Sequence, residues 1–327
     1  MVSRCAWLCL ALLWVLGSPG RATDNWSLVR AYACRRAPAP PVLDGKLDDA
    51  CWQAAEVAGG FVLEGAEQSP PAQPATTVRF CYDEAALYAA FQCHEPNLAA
   101  VTTIRHERDY DVYNEDMVGL LLDVGHVRAG HYDIELAVSA AGTQYDFGWG
   151  WEEEWNGAWT CAVARSPEAG AWQAELRIPW SDTRQAPKRG DLWGLQAMRW
   201  RHAGGKEEAL LWSAVPQGWQ VEMWSAPSFG HLLFEVGGDL PQAHVARAAA
   251  RLEAQRQEAA ALVRDKAAAG RQLDACYERL RRLQSQAARG ERLTGDEWAA
   301  CFSETDALLR DCADLVWPLR IQKLLED

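Results

Sequence analysis

Apolar side chains recur at every second position in a series of short runs between residues 77 and 236, and this pattern constrains the fold more than any other feature. Trp172, Ala174, Leu176 and Ile178 alternate with Gln173, Glu175 and Arg177 and stop at Pro179. Ile134, Leu136 and Val138 alternate in the same way with Asp133, Glu135 and Ser139. Period two predicts strands with one dry and one wet face. The unbroken apolar run 117–124 predicts a strand buried on both faces. Further strands are expected at 28–34 (an edge strand), 143–147, 193–200, 210–214 and 231–236, with a hairpin pairing 77–82 and 87–93 around residues 83–86. About ten strands at short spacing, with no long helix between them, predict a mainly β fold: an antiparallel β-sandwich of jelly-roll-like form.

The pattern breaks at Gly237-Gly238, where the composition turns to Ala, Arg, Leu, Glu and Gln. A helix is expected from residue 239 with Pro241 in its first turn, running toward Arg289 with an interruption at Gly270. Gly290 ends it, and Thr294-Gly-Asp-Glu297 reads as a capping box. Trp298, Phe302, Thr305, Leu309, Cys312 and Val316 then form a coiled-coil-like seam, opposed by Leu273, Tyr277, Leu280 and Leu283, and Pro318 ends or kinks that helix. Residues 239–327 are thus a helical hairpin, with room for a third segment, and a surface for a protein partner or self-association.

At the other end, Arg4, the apolar stretch 5–16 and Gly17-Ser-Pro-Gly-Arg-Ala22 read as a signal peptide, which makes the mature chain secreted, or extracytoplasmic, and leaves 23–238 as the β domain. No apolar run is long enough for a transmembrane segment. The 327 residues carry a formal net charge of −13. The excess sits in 23–238, with 16 basic and 30 acidic side chains, so nucleic acid is not an expected partner. Eight cysteines follow residue 22 without a C-x-x-C, an even number that permits disulfides and leaves their connectivity open. Asn25-Trp-Ser27 is a glycosylation sequon.

Five phrases, in order, carry a resemblance. They are Pro41-Val-Leu-Asp-Gly-Lys-Leu-Asp-Asp-Ala-Cys-Trp52, Val78-Arg-Phe-Cys-Tyr-Asp-Glu-Ala-Ala-Leu-Tyr88, Asn114-Glu-Asp-Met-Val118 with Leu120-Leu-Leu-Asp123, Trp172-Gln-Ala-Glu-Leu-Arg-Ile-Pro-Trp180 and Trp224-Ser-Ala-Pro-Ser-Phe-Gly230. Across residues 38–236 the chain resembles the family 9 carbohydrate-binding modules, of the DOMON-like superfamily. The resemblance implies a non-catalytic β-sandwich that holds a polysaccharide or oligosaccharide between two aromatic rings, often with structural calcium. The clamp positions fall on Tyr113 and Trp224. An apolar pyranose face stacks on such rings, and the sugar hydroxyls then need polar partners. The family's acidic residue, Arg and Asn fall on Gly119, Ala137 and Ser139, which cannot serve, so Glu115, Arg108 and Gln144 are the candidate substitutes.

Other readings stay open beside this one. Asp44, Asp48, Asp49 and Asp123 offer oxygen ligands to calcium, without EF-hand spacing. Eleven of the seventeen tryptophans fall between Trp149 and Trp224. Most are expected in the core, while Trp149 and Trp151 can line a ligand surface. A haem-binding sandwich of the related redox type would use Met117 or a nearby His as axial ligand. A glycosidase would need two carboxylates, and Glu152-Glu-Glu154 reads instead as a solvated turn. His126 and His131 read as exposed. No H-E-x-x-H, G-x-S-x-G or phosphate-binding glycine loop occurs. The last alternative is a structural or interaction module whose sugar site has decayed.

Overall fold

The computed structural model describes residues 30–65, 71–102, 104–124, 126, 132–149, 155–213, 223–234, 240–262, 266–290 and 293–326. The signal-peptide reading, the sequon, His131, Trp151, Trp219 and Glu152–Glu154 lie outside these residues. Among the described residues there are twelve strands: β1 (Ala31–Arg36), β2 (Val62–Leu63), β3 (Thr76–Tyr82), β4 (Ala86–His94), β5 (Met117–Asp123), β6 (Ile134–Ser139), β7 (Gln144–Gly148), β8 (Thr160–Ser166), β9 (Ala171–Pro179), β10 (Leu192–Arg201), β11 (Glu208–Leu211) and β12 (Gly230–Phe234). Ten follow one another in the order β7-β6-β5-β10-β12-β1-β3-β4-β9-β8, and β11 and β2 extend from β10.

The chain is mainly β, as the alternation implies, but the sheet is mixed and continuous. The segment expected as an edge strand is the reason. β1 lies at the centre and runs parallel to both neighbours, pairing through Ala31–Cys34 with β12 and through Arg35 and Arg36 with β3. It thereby joins the two halves into one strongly curled sheet. Side chains from both halves meet inside the curl, where Phe80, Leu87 and Phe91 share a core with Leu120, Leu136, Leu195 and Trp193. Trp52, Trp159, Trp172, Trp193 and Trp212 are all fully buried, as expected for most tryptophans.

Two of the phrases meet in this core. Helix α1 (Ala50–Ala54) points Trp52 inward, and its indole Nε1 donates to Glu175 Oε1 at 2.8 Å. The amides of Asp44 and Gly45 donate to Glu175 Oε2 at 3.0 and 2.7 Å. Glu175, expected on a wet strand face, is therefore the acceptor on which the opening loop closes. Asp49 occupies the N-cap of α1 without capping it through its side chain, and its carboxylate accepts from the Val42 amide instead.

Beyond the sheet, α2 (Leu240–Leu262), α3 (Lys266–Ala287) and α4 (Gly295–Glu326) form a three-helix unit with a shared core of Leu252, Leu273, Cys276, Leu280, Leu308 and Cys312. Gly270 sits inside α3, and α4 continues past Pro318. The capping box forms: Thr294 Oγ1 accepts from the Glu297 amide at 3.2 Å, and Glu297 Oε2 accepts from the Thr294 amide at 2.9 Å.

The seam of α4 has two destinations. Cys312 and Val316 face the helices, whereas Trp298, Ala299 and Phe302 cover Ala31, Ala33 and Leu233 of the sheet. Where β1 has not yet met β3, its Ala31 and Ala33 amides need acceptors. Asp296 Oδ1 takes the first at 2.9 Å and Glu56 Oε2 the second at 3.4 Å, and Glu56 also accepts from the Gly295 amide at 3.0 Å.

All eight cysteines beyond residue 22 are free thiols. Among the described residues no helix is long and apolar enough to cross a membrane.

Candidate functional site

Register decides which of the candidate residues share a surface. Gly119 lies opposite Ala137 on β6 and Met198 on β10, and Ala137 lies opposite Tyr145 on β7. With side chains alternating across the sheet, Met117, Leu121, Glu135, Tyr145 and Trp200 lie on this outer face too. The inner face carries Val118, Leu120, Ile134, Leu136 and Val138 and belongs to the main core.

The outer face of β6 was expected to be wet, yet every residue from Ile134 to Ser139 is buried. A second apolar cluster covers it, built from Val112, Met117, Leu121, Met198, Met223 and Phe229 with Tyr113, Tyr132, Tyr145 and Trp200 at its margin. Met117, the residue considered for a haem, is fully enclosed in this layer.

Tyr113 stands in a short 3-10 turn, Val112–Asn114, and its amide donates to Asp111 Oδ1 at the cap of that turn. Its ring meets Trp200 edge-on at 4.9 Å and 83°, Tyr145 at 6.0 Å and 78°, and Trp224 at 5.8 Å and 65°. Trp224 lies also against Tyr132 at 6.2 Å, and with 42% of its surface exposed it is the outermost ring of the group.

Beneath the rings is a residue that the sequence reading placed in solvent. Glu135 is 3% exposed, and its two carboxylate oxygens each accept a phenol proton: Oε1 from Tyr113 and Oε2 from Tyr132, the latter at 2.8 Å. Burial pushes its carboxyl above the ordinary carboxylate range, while the two phenol donors pull it back. The same burial, with Glu135 close by, pushes the Tyr113 and Tyr132 phenols far up. A charged residue inside an alternating strand pattern gives no sign that the outward face is roofed, so only the position of the aromatic turn could have pointed to Glu135.

The remaining candidates do not join this group. Arg108 makes a two-pronged pair with the buried Asp146, Nε to Oδ1 at 2.8 Å and Nη2 to Oδ2 at 2.6 Å, and donates to the Gly157 carbonyl at 2.8 Å. Gln144 Nε2 donates to the Trp159 carbonyl at 3.2 Å. Gln144 and Asp146 alternate with Tyr145, which puts Arg108 and Gln144 on the opposite face of β7 from the rings. Glu115 is buried and lies 3.0 Å from His106 Nε2, while its other oxygen has no hydrogen-bond partner.

The positions that depart from the family pattern have local reasons. A Cβ on Gly119 would come 2.5 Å from Met198 Cε and 2.9 Å from the Leu136 carbonyl, so the methionine fills the space of any longer side chain. Ser139 Oγ accepts from the Ala141 and Thr143 amides and shapes the turn into β7.

Trp149 is tied inward, its indole donating to the Asp182 carbonyl at 2.8 Å with Arg184 over the ring at 4.2 Å. His126 is likewise engaged, 2.8 Å from the buried His231. The acids considered for calcium do not converge. Asp44 is held by Lys46, Asp49 by the Val42 amide, and Asp123 lies on β5 opposite Gly194. Among the described residues no group of three His, Cys, Asp or Glu is placed to share an ion.

Comparison with known proteins adds a family match. Residues 43–235 match the family described as "Carbohydrate family 9 binding domain-like". No curated protein matches the chain. Among solved structures, a family 9 carbohydrate binding module from Caldicellulosiruptor kristjanssonii in complex with glucose is similar at 15% identity and a TM-score of 0.46, over 62% of this chain and 95% of that one. The module from the same organism in complex with cellotriose gives 16% identity and a TM-score of 0.43, over 62% and 93%.

Proposed function

The chain belongs to the carbohydrate family 9 binding domain-like family, and from that premise we propose that it is an exported, non-catalytic sugar-binding module whose ligand stacks on Trp224. The observation that carries this reading is the exposure of that indole at the edge of a group of rings otherwise closed by one another. An exposed aromatic face suits the C–H face of a pyranose. The sugar lies on Trp224 rather than between it and Tyr113. A ring held on both faces at carbon contact distance needs parallel plates roughly 7–8 Å apart, and these two meet edge to face at 5.8 Å. Tyr113 then sets the tilt of Trp224, and the helical unit, seated on β1 and β12, acts as a rigid spacer or association element.

A second reading has its own observation. Met198 fills the place of the family's acidic side chain at Gly119, which favours a structural module with a decayed sugar site.

The test is retention on insoluble polysaccharides and a glycan array, with calcium and with chelator, for the mature chain and Trp224→Ala. Retention is expected, indifferent to chelator, and the variant should lose about tenfold or more in affinity, about 1.4 kcal/mol, with an unchanged unfolding midpoint. Absence of retention on every glycan would transfer the weight to the structural module.

A further inference from the structure

Glu135 gives the aromatic face a chemical preference. Both of its oxygens are occupied by phenol protons, so the O–H groups of Tyr113 and Tyr132 point inward. A phenol whose proton is committed has only acceptor capacity left. The outer side of these two oxygens therefore suits a ligand that donates.

Among the described residues, carboxylates predominate around the rings. Burial, with Glu135 beneath the rings and Asp109 and Asp111 in the adjoining loop, pushes the Tyr145 phenol up to about 12. Glu207 Oε1 accepts from the Trp200 indole at 2.8 Å, which sets a further carboxylate at the margin. The nearby bases are engaged elsewhere: Arg108 is forked onto Asp146, His106 lies against Glu115, and His202 Nε2 faces the Tyr113 carbonyl at 3.0 Å. The exposed Trp224 face beside a buried carboxylate, with Asp111 and Glu207 at the margin, forms a surface that attracts a cation by its π face as well as by charge.

We propose that the sugar this face selects carries an ammonium group: a 2-amino-2-deoxy sugar within a glycan, its ring on Trp224 and its ammonium over the Tyr113–Tyr132 edge. This rests on the sugar-binding reading above and names the ligand class within it. Glu135 acts as a positioning residue, orienting both phenols and supplying charge from beneath without touching the sugar. Acetylating the amine removes both the charge and two of its three donor protons, and a uronic acid replaces attraction by repulsion.

The experiment compares soluble oligomers of glucosamine, N-acetylglucosamine, glucose and glucuronic acid by calorimetry, using the mature chain. The glucosamine oligomer should bind at least tenfold more tightly than its N-acetylated counterpart, and glucuronic oligomers should not bind. Raising the salt should shrink that preference, since exposed charges are screened beyond about 10 Å at 0.1 M. Glu135→Gln keeps the shape and one acceptor oxygen, and should reduce the preference to within about threefold. If that variant fails to fold, the salt series on the native chain decides alone. Equal or weaker binding of glucosamine oligomers, with glucose oligomers retained, would overturn the ammonium proposal and leave the sugar-binding reading standing. Binding of none of the four would sink both.

Discussion

Two glutamates, Glu56 and Glu135, sit at opposite kinds of cover on the same curled sheet. Glu56 lies in the seam where α4 begins and accepts backbone amides from Ala33 and Gly295. Glu135 lies under a cluster of rings and accepts two side-chain hydroxyls, with Trp224 left 42% exposed at its edge. Both carboxyls are pushed up by burial, Glu56 to about 7. The difference is in what the lid is. A helix capped by its acceptor closes a joint, whereas a cluster of rings with an open outer face leaves a surface for a ligand. A shifted carboxylate alone does not mark a site.

The largest effect expected at the joint follows from its titration. The Glu56 carboxyl is raised from 4.5 to about 7, so the docked state holds a proton that the unfolded chain gives up earlier. Stability from this group is complete below about pH 4.5 and is lost as pH rises through about 7, by at most roughly 3.5 kcal/mol. Glu56→Gln keeps an acceptor for the Gly295 amide but does not titrate. Its urea midpoint should match the native chain at pH 5 and exceed it at pH 8. Equal midpoints at both values would mean that the docked helix does not raise the Glu56 carboxyl, and the joint would not be pH-sensitive through this group.

A steric change probes the same contrast with a smaller cost. A Cβ on Gly295 would overlap the carbonyl of Ala31 and come 2.5 Å from Tyr32 Cα, and both atoms are backbone. Neither can rotate away, so Gly295→Ala should destabilise the chain by about 1–3 kcal/mol, as overpacking does. Glycan retention below the unfolding transition should be unaffected, because the rings lie on a different part of the sheet. Loss of retention in the folded variant would show that joint and surface are coupled.

The fold was largely readable where local chemistry decides. The β3–β4 hairpin, the strand ending at Pro179 and the capping box at Thr294 each depend on neighbours in the chain. What escaped was set by distant partners. β1 looked like an edge because its central position comes from β3 and β12, the latter nearly two hundred residues away. Glu135 and Glu175 looked solvated because a charge in an alternating pattern reads as the wet face, and only the roof built by other segments shows otherwise. Arg108, Gln144 and Tyr113 looked like parts of one sugar site, yet strand alternation at Tyr145 sends the first two to the other face.

The smallest effect is expected at the margin of the ring cluster, and it separates charge from stacking there. Asp111 is exposed; its carboxylate accepts from the Tyr113 amide at 3.2 Å and from Asn114 Nδ2 at 2.7 Å. Asparagine caps a turn about as well as aspartate, so Asp111→Asn should leave Tyr113 in place and stability unchanged. It removes one negative charge from the surroundings of Tyr145. Affinity for glucosamine oligomers should fall about twofold, the scale of an exposed charge, and the loss should vanish at high salt. Affinity for glucose oligomers should not change, since an uncharged sugar is indifferent to that field. An equal loss for both sugars would mean that the turn itself had moved, and the open surface would then owe its shape to Asp111 rather than to the glutamate beneath it.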